Sequence, residues 1–199
     1  MPDVTSTAQL SILSAEARDA RPADLSGLLC GPGQLVRFGA SGTARLSLVL
    51  DDPGRAHALG AEAADRGITT EVAEAESGSM VLRTAFRRDL VELASMWTRG
   101  AVKAVPEGFT LDGPTLRLWA LAAGVPDRRA GYLLGLDPLA PQTHVPLAAA
   151  VTALGLPTLR LGPRGGGPAL RISGVRARRR LAEMVGPAPG SAILDYWPA

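Results

Sequence analysis

"LSGLLCGPG", residues 25 to 33, and "LRLWALAAG", residues 116 to 124, are apolar stretches built the same way: small residues sit among large aliphatic ones, and each stretch ends on glycine. A helix that stops on glycine can hand the chain to a strand through a left-handed turn, and that is the turn expected at both places. Either stretch alone reads as an ordinary buried helix. Two of them predict a duplication, so one half of the chain can be laid on the other. Matching Gly33 to Gly124 places Leu25 on Leu116, Leu28 on Trp119 and Leu29 on Ala120. After a shift of a few residues, Gly67 in "DRGITTEV" falls on Gly155 in "ALGLPTLRL", and Leu82-Arg83 falls on Leu170-Arg171.

Each half, about 75 to 80 residues long, then reads as αββαββα. In the first, the alternating runs "QLVRFG" and "ARLSLVL" follow the glycine-ended helix. A middle helix comes next, from about Pro53 to Arg66, then "ITTEVAEA", "SMVLRTA" and a closing helix in "FRRDLVELASMW". In the second, the corresponding pieces are "VPDRR", "AGYLLGLD", a helix over about Gln142 to Leu154, "TLRLGP", "PALRIS" and "VRARRRLAEMVG". The expected fold is α+β, two αββαββα repeats related by pseudo-two-fold symmetry. Residues 1–22 form an N-terminal extension, 23–97 the first repeat, 98–114 a linker and 115–199 the second repeat. In the first middle helix Ala56, Leu59 and Ala63 share a face, which leaves Glu62, Asp65 and Arg66 for water.

This order of elements resembles the LAGLIDADG fold of homing endonucleases. The phrases "ADLSGLLCGPGQLVRFGASGTARLSLVL" and "LWALAAGVPDRRAGYLLGLDP" resemble more closely the N-terminal region of the WhiA family, regulators of sporulation and cell division whose endonuclease-like domain has lost nuclease function. The likeness runs from about Ala23 to Leu194. The family continues into a C-terminal helix-turn-helix, whereas this sequence reaches Ala199 without one. The resemblance implies two motif helices crossing at the pseudo-symmetry axis, and Ser26, Gly27, Gly31, Ala120 and Ala123 supply the small residues for a close repeat interface. It also implies where a nuclease would need acids: at the penultimate motif positions, converging on a divalent metal. Here those positions hold Pro32 and Ala123, which cannot bind one. Asp24 and Asp112 lie at the opposite helix ends, roughly 12 Å away by helical rise. No enzymatic activity, metal or cofactor is therefore expected.

Other chemistries find little footing. Cys30 is the single cysteine, lies in an apolar helix and can form no intramolecular disulfide or thiolate zinc cluster. His57 and His144 fall near the starts of the middle helices and read as partly exposed surface residues. "GPRGGGP", residues 162 to 168, lacks the GK[ST] and following helix of a phosphate loop and sits where a hairpin turn belongs. No run approaches the roughly 18 to 20 apolar residues of a membrane span, and residues 1 to 20 lack the pattern of a signal peptide. A cytoplasmic protein without a membrane partner, monomeric through its internal symmetry, is expected.

The formal charge is only +2, but twenty of the 21 basic residues are arginine, the exception being Lys103. In "TARLSLVL" Leu46, Leu48 and Leu50 alternate inward, which sends Arg45 outward. The same reasoning nominates Arg37, Arg83, Arg160 and Arg171, one per strand, with Arg128 and Arg129 as secondary candidates. Together they would form a basic surface for duplex DNA. Glu71 and Glu74 would interrupt it. Aromatic residues are few, so no stacking platform for single strands is expected. The competing reading is a protein-interaction scaffold docking on a regulatory protein, and the missing helix-turn-helix favours it.

Overall fold

The computed structural model describes residues 14–39, 42–128, 131–165 and 167–198. The chain runs α1 (Ser26–Cys30), β1 (Gln34–Phe38), β2 (Thr43–Leu50), α2 (Pro53–Asp65), β3 (Thr70–Glu74), β4 (Met80–Thr84) and α3 (Val91–Trp97). A small hairpin follows, β5 (Thr98–Arg99) and β6 (Val102–Lys103). The first order then returns as α4 (Gly113–Ala123), β7 (Gly124–Asp127), β8 (Gly131–Gly135), α5 (His144–Ala153), β9 (Thr158–Leu161), β10 (Ala169–Ser173) and α6 (Val175–Val185). The two four-stranded sheets are ordered β1-β2-β4-β3 and β7-β8-β10-β9, the same antiparallel topology twice. This is the α+β arrangement of two αββαββα repeats with pseudo-two-fold symmetry. Residues 98–114, read as a linker, contain the hairpin and the start of α4.

Helices cover one face of each sheet. Leu46, Leu48 and Leu82 from the first sheet and Leu134, Leu170 and Ile172 from the second are at most 1% exposed and join one continuous core with α1 and α4. Burying each such aliphatic side chain contributes about 1.5–3 kcal/mol, so the inward alternation of β2, β4, β8 and β10 fixes their register strongly.

The motif helices pack on each other through their small residues. A Cβ on Gly27 would run into the Thr115 carbonyl oxygen and lie 2.9 Å from Leu118 Cβ, while one on Gly31 would lie 3.2 Å from Ala123 Cβ. Ser26 and Ala120 are buried beside them. The terminal glycines act differently from the turn inferred from sequence. Gly31 has φ −94° and Gly124 φ −85°, and neither they nor Gly33 enter the left-handed region. Close approach is what requires glycine here. A Cβ on Gly33 would sit 2.5 Å from the Leu28 carbonyl oxygen, and one on Gly124 would overlap the Tyr132 hydroxyl.

A second correction concerns α2. Asp52 caps it by accepting from the Arg55 amide at 2.7 Å, with Pro53 in the first turn. Glu62 and Arg66, however, are buried rather than turned to water. Arg66 donates to the Glu62 carboxylate at 2.7 Å and to Asp24 at 3.2 Å; Arg117 of α4 donates to Glu62 at 2.7 Å; Arg18 bridges Asp24 at 2.6 Å and Asp112 at 2.5 Å. This network ties α2 to the N-terminal ends of both motif helices. A charge buried this deeply persists only with such partners, which an amphipathic reading of one helix does not reveal.

Candidate nucleic-acid interface

Strand register decides which arginines share a surface. In an antiparallel pair, residues opposite each other point to the same face. Arg45 lies opposite Val36, and Ser47 opposite both Gln34 and Arg83, so Arg45, Arg83, Val36 and Phe38 belong to the outer face of the first sheet. Arg171 of β10 lies opposite Leu133 and Leu159 on the outer face of the second.

Arg37 and Arg160 do not join them. Arg37 lies opposite Ala44, and Arg160 opposite Leu170, both partners being core residues. These two arginines therefore point to the helix-covered side and stay exposed only because β1 and β9 are edge strands. Their neighbours Val36, Phe38 and Leu159 take the outer face instead, at 51%, 61% and 58% exposure. Glu74 is corrected likewise. It lies opposite Met80, away from the outer face, which retains Glu71 opposite Arg83. Arg128 is exposed after β7, and Arg129 lies outside the described residues.

The three outward arginines differ in freedom. Arg83 meets Glu71 at 3.1 Å in a pair exposed on both sides, a contact worth little in water and readily exchanged for a phosphate. Arg171 is held by Asp127 at 2.7 Å, both side chains mostly covered. Arg45 has no carboxylate partner among the described residues; its guanidinium lies 4.6 Å from the centre of the Phe86 ring. Arg45, Arg83, Arg87 and Phe86 line one concavity of about 460 Å³ together with Thr69, Thr70 and Glu71, Arg87 being held there by Asp89 at 2.6 Å. A smaller hollow of about 250 Å³ joins Gln34, Ser47 and Val49 of this face to Pro138 and Leu139 of the second repeat.

At the C-terminal ends of the motif helices, where the resemblance would put metal, the chain supplies its own cations. Lys103 Nζ donates to the carbonyl oxygens of Gly31 at 2.6 Å and Gly33 at 2.7 Å and to Asp137 at 2.9 Å. Gln34 donates to the same carboxylate at 2.6 Å. On the other helix Arg55 donates to the carbonyls of Leu121 at 3.0 Å, Ala120 at 3.2 Å and Gly124, and lies over the Tyr196 ring. Both cations are buried, and each meets the negative end of a helix. Burial lowers the pKa of the Lys103 ammonium, against the raising influence of Asp137. With Pro32 and Ala123 at the motif ends and ammonium and guanidinium groups against the carbonyls, the donor set does not fit a divalent metal. Among the described residues no group of three His, Cys, Asp or Glu side chains could hold one. Cys30 is fully buried, and burial pushes its thiol well above its ordinary pKa, which removes it as a nucleophile. No helix among the described residues is long and apolar enough to cross a membrane.

The duplicated sheets and crossed motif helices define a LAGLIDADG-type fold. Among solved structures, the homing endonuclease I-WcaI bound to its DNA recognition sequence is similar with a TM-score of 0.59 at 12% identity, over 89% of this chain and 83% of that one. Full-length DUF199/WhiA from Thermatoga maritima is similar with a TM-score of 0.58 at 13% identity, over 83% of this chain and 55% of that one. The N-terminal LAGLIDADG domain of DUF199/WhiA gives 0.55 at 10% identity, over 87% of this chain and 84% of that domain. The chain thus has a WhiA-like LAGLIDADG fold while spanning little more than half of full-length WhiA. No family model and no curated protein matches it in sequence.

Proposed function

We propose that this protein is a non-cleaving LAGLIDADG-type module that binds duplex DNA through the outer faces of its sheets and acts in regulation, as the resemblance to WhiA implies. The observation that carries the reading is the outward pair Arg45 and Arg83, in which Arg45 lacks a carboxylate partner among the described residues and Arg83 has only an exposed one, whereas Arg87 at the edge of the same concavity is held by Asp89 at 2.6 Å. Arg45 and Arg83 are the principal phosphate contacts. Arg171 contributes less because Asp127 competes for it, and Arg37, Arg128 and Arg160 act from the edges. The DNA-bound state of I-WcaI supports the class of ligand. The buried Lys103 and Arg55 support a module that binds without hydrolysing, since cations already neutralise the motif carbonyls.

The test is fluorescence anisotropy of a labelled duplex across a salt series, with Arg45→Glu/Arg83→Glu as the variant. The wild type is expected to lose affinity steeply with salt, and the variant to bind at least tenfold more weakly with a shallower slope, roughly one to two counterions fewer. Supercoiled plasmid is expected to stay intact in magnesium or manganese.

A second reading, a protein-docking scaffold, is favoured by one observation. The outer faces and adjoining loop expose Val36, Phe38, Val49 and Leu159 at 51–61% and Leu139 at 86%. No duplex binding at low salt would leave it as the better account.

A further inference from the structure

Phe38 and Phe86 have no function in a grip on phosphates. Their ring centres lie 5.2 Å apart at an interplanar angle of 51°, and they are 61% and 38% exposed. A short backbone bridge holds Phe86 there: the Ala44 and Arg87 amides each donate to the other's carbonyl at 2.8 Å. Arg45 covers one side of the Phe86 ring, so the Phe86–Arg45 stack and the more open Phe38 both present flat surfaces beside the arginine-lined concavity. Aromatic rings and guanidinium planes are the groups on which nucleobases stack. Thr69 and Glu71, which also line the concavity, offer hydroxyl and carboxylate oxygens to the edge of such a base, whereas the Thr70 hydroxyl turns toward α2. The scarcity of aromatic residues predicted no such surface; residues far apart in sequence bring these two rings together on one sheet. Among the described residues the second sheet has no counterpart. Its outer positions opposite one another are Val125, Leu133, Leu159 and Arg171.

We infer that the outer face of the first sheet holds a site for an unpaired nucleobase, stacked on Phe38 and the Arg45–Phe86 pair, with Arg83 on a flanking phosphate. The inference shares the nucleic-acid reading above and departs from it in the form of ligand. Within a duplex the faces of the bases are taken up by their neighbours, so this chemistry needs a single strand or an extruded base. Arg87 is held by Asp89 at 2.6 Å, but Arg45 has no carboxylate partner among the described residues and the exposed Arg83–Glu71 pair exchanges readily, so the site selects an anionic ligand over a cationic or neutral apolar one.

The experiment titrates the protein with a labelled single strand of about 12 nucleotides, the same strand with abasic sites at its centre, and the matching duplex. Wild type is compared with Phe38→Ala/Phe86→Ala, a variant whose exposed positions leave the core intact, checked by its urea midpoint. The intact single strand is expected to bind at least about fivefold more tightly than the abasic one, and the variant to lose about fivefold or more on the single strand with little change on the duplex. Duplex binding with no preference for an intact single strand, or with the variant weakened equally on both, would overturn the inference and spare the duplex reading. Single-strand binding that depends on the two phenylalanines, without duplex binding, would uphold the inference and end the duplex reading. No binding of either overturns both.

Discussion

Gly27 and Lys103 each contribute through what lies across the molecule from them. Any side chain at Gly27 meets the Thr115 carbonyl, a backbone atom that cannot swing away. Gly27→Ala is expected to cost about 1–3 kcal/mol, whereas Gly60→Ala in α2, where the nearest atom is the Thr70 hydroxyl at 3.3 Å, is expected to stay within about 1 kcal/mol of wild type. Urea midpoints of the two variants check this; equal losses would remove the crossing of α1 and α4 as the reason for glycine. The small residues of the crossing were legible because each set lies within one short motif, Ser26, Gly27 and Gly31 in the first and Ala120 and Ala123 in the second. Lys103 was not. Its partners are two carbonyls some seventy residues earlier and a carboxylate in the other repeat, and a lone lysine in a Pro- and Gly-containing stretch carries no local sign of them.

At the scale of elements, alternation was read correctly where a strand is central and failed where it is an edge. β2 buries Leu46, Leu48 and Leu50 and β4 buries Leu82 and Thr84, each on alternate positions, so Arg45 and Arg83 could be placed outward from sequence. In "LVRFG" and "TLRLG" apolar residues flank the arginine on both sides, and nothing within the strand says which set is inward. Pairing with β2 and β10 answers it, sending Arg37 and Arg160 to the helix side. The end of α4 shows the same dependence on distant partners. Arg55 reaches from α2 to three carbonyls where α4 passes into β7, of which the Ala120 carbonyl also accepts from the Gly124 amide. Arg55→Met keeps most of the volume but strips those bonds, and is expected to cost about 3 kcal/mol. A urea midpoint unchanged from wild type would mean that the carbonyls find other donors.

For the whole molecule, the duplication and the order of elements were legible, while the ionic network between the halves was not, because its members come from four separate segments. Burial raises the pKa of Glu62, but Arg117 and Arg66 outweigh it and hold the folded value below the ordinary one. Asp112 is likewise brought down against burial by Thr115 and Arg18. A depressed folded pKa means stability that is complete above the unfolded value, about 4, and is lost as pH falls through the folded value. Stability is therefore expected to be level from neutrality to about pH 5 and to fall below about 4. Arg117→Met is expected to be destabilised at pH 7, with its difference from wild type narrowing as Glu62 becomes protonated. Urea midpoints at pH 7 and pH 3 measure it, and a difference that stays constant would place the value of Arg117 elsewhere.

The contacts of Lys103 also bear on how the chain is made. A ribosome that has released the first repeat and the hairpin has delivered an ammonium group whose carboxylate, Asp137, is not yet synthesised, and a motif helix whose glycine face awaits Thr115 and Trp119. The nascent first half thus carries an exposed apolar stripe and an uncompensated charge destined for burial. Two halves that look like independent copies therefore share one interior, because Lys103 and the first motif helix gain these partners only once the second half is present.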